Sequence, residues 1–419
     1  MGRGAHPRRE RPPAPVARRA RPGRNGSSAL ARRRGHGRTR AGAPPERQRP
    51  CRPGGVRGVA VRRRTALGLV SFWHLAPVDI AQAASKSGAS AAGVGSAPVV
   101  AAPYVSAQTL LTTLLRTHYL PAAEAFTDQA DKLHRALASS QTPWSSLRPA
   151  WISTMLAWEH LSAVAVGPVL ERRALRAIDF WPTRPAQIAR ALGQVDLAGG
   201  RVIDMETTGA SARGLPALEW LLFRHTGQSA ERAFASACAA HVLQEAHALA
   251  QGYAALAQAE REESDAWALY GEWYGQAVGA LDQLRIKRLV ADTRGKDSSP
   301  WARGVSGQTR ASWSTQVRAI ERFLVGSPEE RTLAAQRGQL WPVPGSLDSL
   351  LLGRGHIRQS QMLRTACAQA VRAVEAADPT KARSCQTAQR ALANASALLD
   401  HMAGAVLQIT LGFTDADGD

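Results

Sequence analysis

Residues 106–115 read SAQTLLTTLL, and the same character continues from Ala125 to Ala138. Leu110, Leu111, Leu114 and Leu115 recur at the three-and-four spacing that lines one face of an α-helix. Ala125–Ala138 contains no β-branched run that would argue for a strand. The pattern repeats along the chain and predicts helices over about 106–139, 147–166, 171–179, 184–193, 215–225, 229–260, 264–291, 308–325, 329–338, 346–352, 356–376 and 380–411. Pro143, Pro149, Pro168, Pro182 and Pro185 punctuate the first half, and two of them open helices, where a missing N–H costs nothing. No segment alternates with period two between hairpin turns. The expectation is an all-α protein of two packed helical bundles, about 105–225 and 229–412. Arg148–Gly167, with Trp151 and Trp158, and Gln308–Gly326, with Trp313, each end in glycine, a hint of duplication too weak to establish a repeat.

Upstream of the helices the composition changes. Residues 1–64 carry twenty Arg, no Lys and only Glu10 and Glu46 as acids, which is +18 of the chain's +20. The remainder is almost neutral, and residues 1–64 hold no aromatic side chain on which a base could stack. No nucleic-acid partner is expected. Arg, Pro and Gly with few apolar side chains cannot offset ordering entropy, so 1–64 is expected to be disordered. It is either a basic interaction arm or a start placed too far upstream, and an export-like stretch at its end favours the second reading. Arg62–Arg64 precede the apolar run Thr65–Trp73 and the small-x-small sequence Ala81-Gln82-Ala83. This predicts a signal peptide over 62–83, cleaved near Ala83, with a twin-arginine variant also allowed. His74, Pro77 and Asp79 interrupt the apolar run short of the ~20 residues a span needs, so no membrane span is expected in the mature chain. Residues 84–104 read as a flexible linker and 413–419 as an acidic tail. Asp415, Asp417 and Asp419 superficially fit a calcium loop, but the bidentate Glu that such a loop requires is missing.

An ordered set of short motifs runs through the helical part: Tyr119-Leu120-Pro121 with Phe126 and Leu133, Trp151 and Ala157-Trp158, Gly167-Pro168, Ile178-Asp179-Phe180-Trp181-Pro182, Gly214 to Phe223, and Leu411-Gly412-Phe413. In this order the set resembles the imelysin family over residues 105–419. The resemblance implies a fold of two related bundles, a place in the periplasm or at the outer membrane, and association with iron-regulated uptake, with envelope iron-uptake proteins as partners. It also carries a metallopeptidase label. The family's hallmark is GxHxxE, whose His and Glu stand three apart on one helical face and could share a metal. The matching residues here are Gly214, Pro216 and Glu219. Proline offers no donor atom, so the paired chelate is lost. Pro216 fits a helix start, with Glu219 in the first turn near the positive end of the dipole.

Two readings of Glu219 stay open: a helix-capping acid over a leucine core, or a ligand residue with Gly214, Pro216, Trp158 and Glu159 around it. Glu219 is the candidate metal ligand, with iron or another divalent metal as the cofactor and its identity unknown. Glu159 could approach Glu219 if their helices pack, and such a buried pair would need a cation or a proton; a surface acid beside a core Trp is the competing reading. His241 and Glu245 share a helical face and are expected to be solvated, while His118 and His160 are further candidates. Neither HExxH nor HxxEH occurs, so no catalytic residue is assigned. Cys367 and Cys385 flank the turn at Ala377–Thr380 and are the candidate disulfide, with Cys238 left over. Three functions stay open: a non-enzymatic envelope protein that binds a metal, a haem-like ligand or a partner, a metallopeptidase, and a helical scaffold with no small ligand.

Overall fold

The computed structural model describes residues 103–197, 204–293, 299–336 and 343–411. The expected basic leader and signal peptide, most of the expected linker and the acidic tail fall outside the described residues. Among those described the protein is all-helical, with no strand, and no helix is long and apolar enough to cross a membrane.

The chain runs α1 (Ala107–Leu114), a single wide π-turn (Leu115–Tyr119), α2 (Leu120–Ala138), α3 (Leu147–Ser162), α4 (Pro168–Glu171), α5 (Ala174–Ile178), α6 (Pro185–Leu197), α7 (Gly214–Arg224) and α8 (Ser229–Gln258). It continues through α9 (Glu263–Gln283), a second π-turn (Leu284–Arg288), α10 (Thr309–Val325), α11 (Pro328–Gln336), α12 (Leu347–Gly353), α13 (Ile357–Glu375), α14 (Ala382–Met402) and a third π-turn (Ala403–Leu407). The leucines of 110–115 are all fully buried, as their spacing predicts. Ser106 caps α1 through its side chain, and Pro121 and Pro168 sit within first turns.

Helix α2 packs on α3 and α8, and α7 packs on α8 and α3. On the other side α13 packs on α14 and α10, and α14 on α9. Helix α8, expected from the sequence in the second bundle, therefore closes the first. Its Phe234, Val242 and Leu249 are buried, and α2 is among the helices it packs on. The two groups meet where α10 lies on α3 and α1 on α9, within one continuous apolar core. The contact of α10 with α3 brings the two Trp-bearing helices together and encloses a buried polar centre.

Candidate functional site

Gly214 opens α7 at φ +77, and a side chain there would collide with the Ile178 carbonyl oxygen at the end of α5. Only glycine satisfies both demands. The close approach sets α7 against Ile178 and Asp179. Pro216 is buried in the first turn of α7, where its missing N–H is harmless. Helix α7 begins at Gly214, so Glu219 is its sixth residue and lies beyond the first turn. It does not cap the helix.

Instead its Oε1 accepts two hydrogen bonds from Ser306, from the backbone N–H at 2.9 Å and from Oγ at 2.7 Å. Ser306 belongs to the loop before α10, and that loop also delivers Arg303. The Arg303 guanidinium is 2% exposed and lies between two more buried carboxylates, with Nε 3.0 Å from Glu159 Oε1 and Nη2 2.8 Å from Asp179 Oδ2. Arg288, from the second π-turn, reaches the same Asp179 oxygen at 3.3 Å. Glu159 is completed by α10: Ser312 Oγ donates to Oε1 at 2.8 Å and Gln316 Nε2 to Oε2 at 2.7 Å.

Three acids from α3, the end of α5 and α7 thus converge on two guanidinium groups. Sequence reasoning offered an approach of Glu159 and Glu219, with a cation or proton between them, only as the alternative to a surface Glu159. It missed that the cation is Arg303, and it missed Asp179 as the third acid. The reading of Glu159 as a surface acid is corrected: it is 2% exposed, because α10 covers that face of α3.

The charge states follow from these contacts. Burial alone would raise Asp179, but the Arg303 and Arg288 guanidinium groups overcome it and hold the carboxyl below its usual range. For Glu219 burial wins over the Arg303 charge and the Ser306 hydrogen bonds, so its carboxyl is pushed up. Burial would lower Arg303, yet Asp179, Glu159 and Glu219 together push it above its ordinary value.

A divalent metal does not fit this donor set. Both Glu159 oxygens are taken by protein donors, Glu219 Oε1 holds Ser306, and a guanidinium fills the middle. Among the described residues no group of three His, Cys, Asp or Glu side chains could hold a metal ion.

The other candidates fall elsewhere. Trp158 is fully buried against Phe126 of α2. His241 and Glu245, expected on a solvated face, are buried; Arg172 forks onto Glu245 at 3.0 and 3.2 Å. The reason is local, since the short helices α4 and α5 pack over that side of α8. Cys238, Cys367 and Cys385 are all free and buried, so the expected staple between Cys367 and Cys385 is not formed. His118 and His160 do meet, with ring centroids 5.1 Å apart. They form a second polar centre with Arg322, whose partner is Glu330. A groove of about 590 Å³ also opens along α9, lined by Trp267, Gly271, Trp273 and Gly275, by Glu171 and Glu272, and by the C-terminal stretch 408–410.

Comparison with known proteins bears on the whole assembly. The family model described as Imelysin (Peptidase M75) matches residues 115–403. An imelysin-like protein from Psychrobacter arcticum 273-4 is similar in structure, with a TM-score of 0.57 and 16% identity, covering 75% of this chain and 100% of that one. A candidate iron-regulated protein A precursor from Parabacteroides distasonis ATCC 8503 gives a TM-score of 0.57 at 14% identity, covering 73% and 95%. No curated protein matches. With the ordered motifs, the helical architecture and a family match that spans the polar centre from Glu159 to Gln316, the chain belongs to the imelysin family.

Proposed function

We propose that this protein is an exported component of the cell envelope that works in iron acquisition by binding a ligand or a partner, without hydrolysing peptides. The observation that carries the reading is the state of the hallmark motif. Pro216 stands where the metal-binding histidine would be, and Glu219 is spent on Ser306. A metallopeptidase needs a metal with an open position and a base beside it. Here the three carboxylates tie α3, α5 and α7 to the loop before α10. The similar Parabacteroides protein, a candidate iron-regulated precursor, supports both the iron connection and export.

Binding would then use a surface outside the buried centre, and the groove along α9 offers a lining of tryptophans and two glutamates. The test is a titration of the full chain with ferrous iron and with haemin by calorimetry, beside a protein-cleavage assay with and without chelator. Saturable binding that Gly271→Leu weakens, with no chelator-sensitive cleavage, is the expected result. Chelator-sensitive cleavage would restore the peptidase reading.

A further inference from the structure

We propose that the groove along α9 takes a cationic ligand with an apolar body and a protonated amine; in iron acquisition this is a positively charged iron chelate and not haem. The inference rests on the ligand-binding reading above and adds to it the sign of the ligand's charge.

The groove owes its form to glycine. Gly271 and Gly275 lie about one turn apart on α9. A Cβ at Gly271 would stand 3.4 Å from Ile409, and one at Gly275 would stand 3.9 Å from Leu411. The C-terminal stretch therefore lies against bare helix backbone, and a larger side chain at either glycine would push it away. Its course is fixed just before: Gln408 takes φ +55, and the Ile409 N–H donates to the Ala403 carbonyl at 2.8 Å. Gly167 and Leu170, at the start of α4, add to the lining. The volume, about 590 Å³, falls in the range of about 300–1,000 Å³ that small-molecule sites occupy.

The sign of the ligand follows from the lining. Glu171 and Glu272 are its only charged side chains, and no Lys, Arg or His joins them. Both are exposed, so a ligand can reach them. Neither makes a hydrogen bond or an ion pair among the described residues, whereas Arg172, next to Glu171, is committed to Glu245. Arg354 stacks over the Trp267 ring at 4.1 Å but is not part of the lining. Two unopposed acids in a groove otherwise lined by apolar and uncharged polar side chains attract a cation and repel an anion. Haemin brings carboxylates of its own, which would meet the same charge. A chelate carrying a protonated amine meets the opposite one.

The experiment titrates the full chain by calorimetry with the ferric complex of a linear trihydroxamate that ends in a free amine, and with the same complex after N-acetylation. The two share their body and their iron and differ by one charge. The cationic complex should bind at least about ten-fold tighter, and the difference should shrink as salt is added. Glu171→Gln with Glu272→Gln should erase the difference while leaving the thermal midpoint unchanged, and Gly271→Leu should weaken both complexes. The iron-free hydroxamate keeps the amine but loses the compact chelate, and should bind more weakly; equally tight binding overturns the iron part of the proposal. Equal binding of the two complexes, or binding of haemin alone, overturns the charge preference and leaves the ligand-binding reading standing. If neither complex, haemin nor ferrous iron binds, that reading falls as well.

Discussion

Glu159 and His160 are neighbours on α3, yet they enter two different buried polar centres. About 100° of helical rotation separates them. Glu159 joins Asp179, Glu219, Arg303 and Arg288, with Ser312 and Gln316 from α10. His160 joins His118, with Arg322 from the far end of the same α10. The same pair of helices therefore handles buried polarity in two ways. In the first centre charges are kept and opposed by charges. In the second the imidazoles are kept uncharged: burial first, then His160 and Arg322, push His118 down, and burial and Arg322 do the same to His160. A centre that depends on neutral imidazoles loses stability as soon as the pH falls through their range.

The largest effect expected from this contrast is loss of compensation. Arg303→Ala should cost about 3–5 kcal/mol in urea unfolding, because it strands buried carboxylates. A loss near that of a surface arginine, below about 1 kcal/mol, would mean the acids are not held by charge at all.

Next comes acid sensitivity. The folded-state values of His118 and His160 lie below the ordinary 6.5, so between the two values the unfolded chain binds more protons. Stability from these residues is complete above about pH 6.5 and falls as pH drops, by up to about 1.4 kcal/mol per unit for each histidine. The groups facing them are Tyr119, Arg322 and, through Arg322, Glu330. His118→Phe should flatten the decline between about pH 7 and 5; an unchanged slope breaks the comparison.

Glu219 works with the opposite sign. Its raised value means the native state gains a proton first, so its cost is relieved as pH falls toward 4.5. Glu219→Gln should therefore steepen the acid decline that the histidines cause, which separates the two centres in one titration. The smallest effect is Ser306→Ala, which removes one donor to Glu219 and should cost about 1 kcal/mol.

Much of the architecture could be read from residue spacing because helix signals are local. Gly214, Ser229 and Thr309 begin helices within a residue of where periodicity and capping place them. Pairings of helices were less legible, as α8 illustrates: its alanine-rich faces suit more than one neighbour, and only packing chooses. The candidate centre was half visible. Glu159 and Glu219 stand on periodic helices next to tryptophans and drew attention. Arg303 lies in a loop of Gly, Ser and Trp with no period, and its contact with Glu159 spans 144 residues. Nothing local distinguishes it from the chain's many other arginines. Asp179 lay within a recognisable motif, but its role depends on that same distant loop. His241 and Glu245 misled because an i,i+4 polar pair looks solvated until short helices such as α4 and α5 are known to cover it.

Each π-turn holds one residue more than an α-helix would take. The turn at Leu284–Arg288 presents Arg288 to Asp179 and its carbonyl to Trp313 Nε1. For the gene, this makes the length of the segment matter more than its composition. Loss of a single codon there would leave hydrophobicity and helix propensity almost unchanged, yet rotate everything after it by about 100°. Arg288 would swing off Asp179 while most substitutions nearby passed unnoticed.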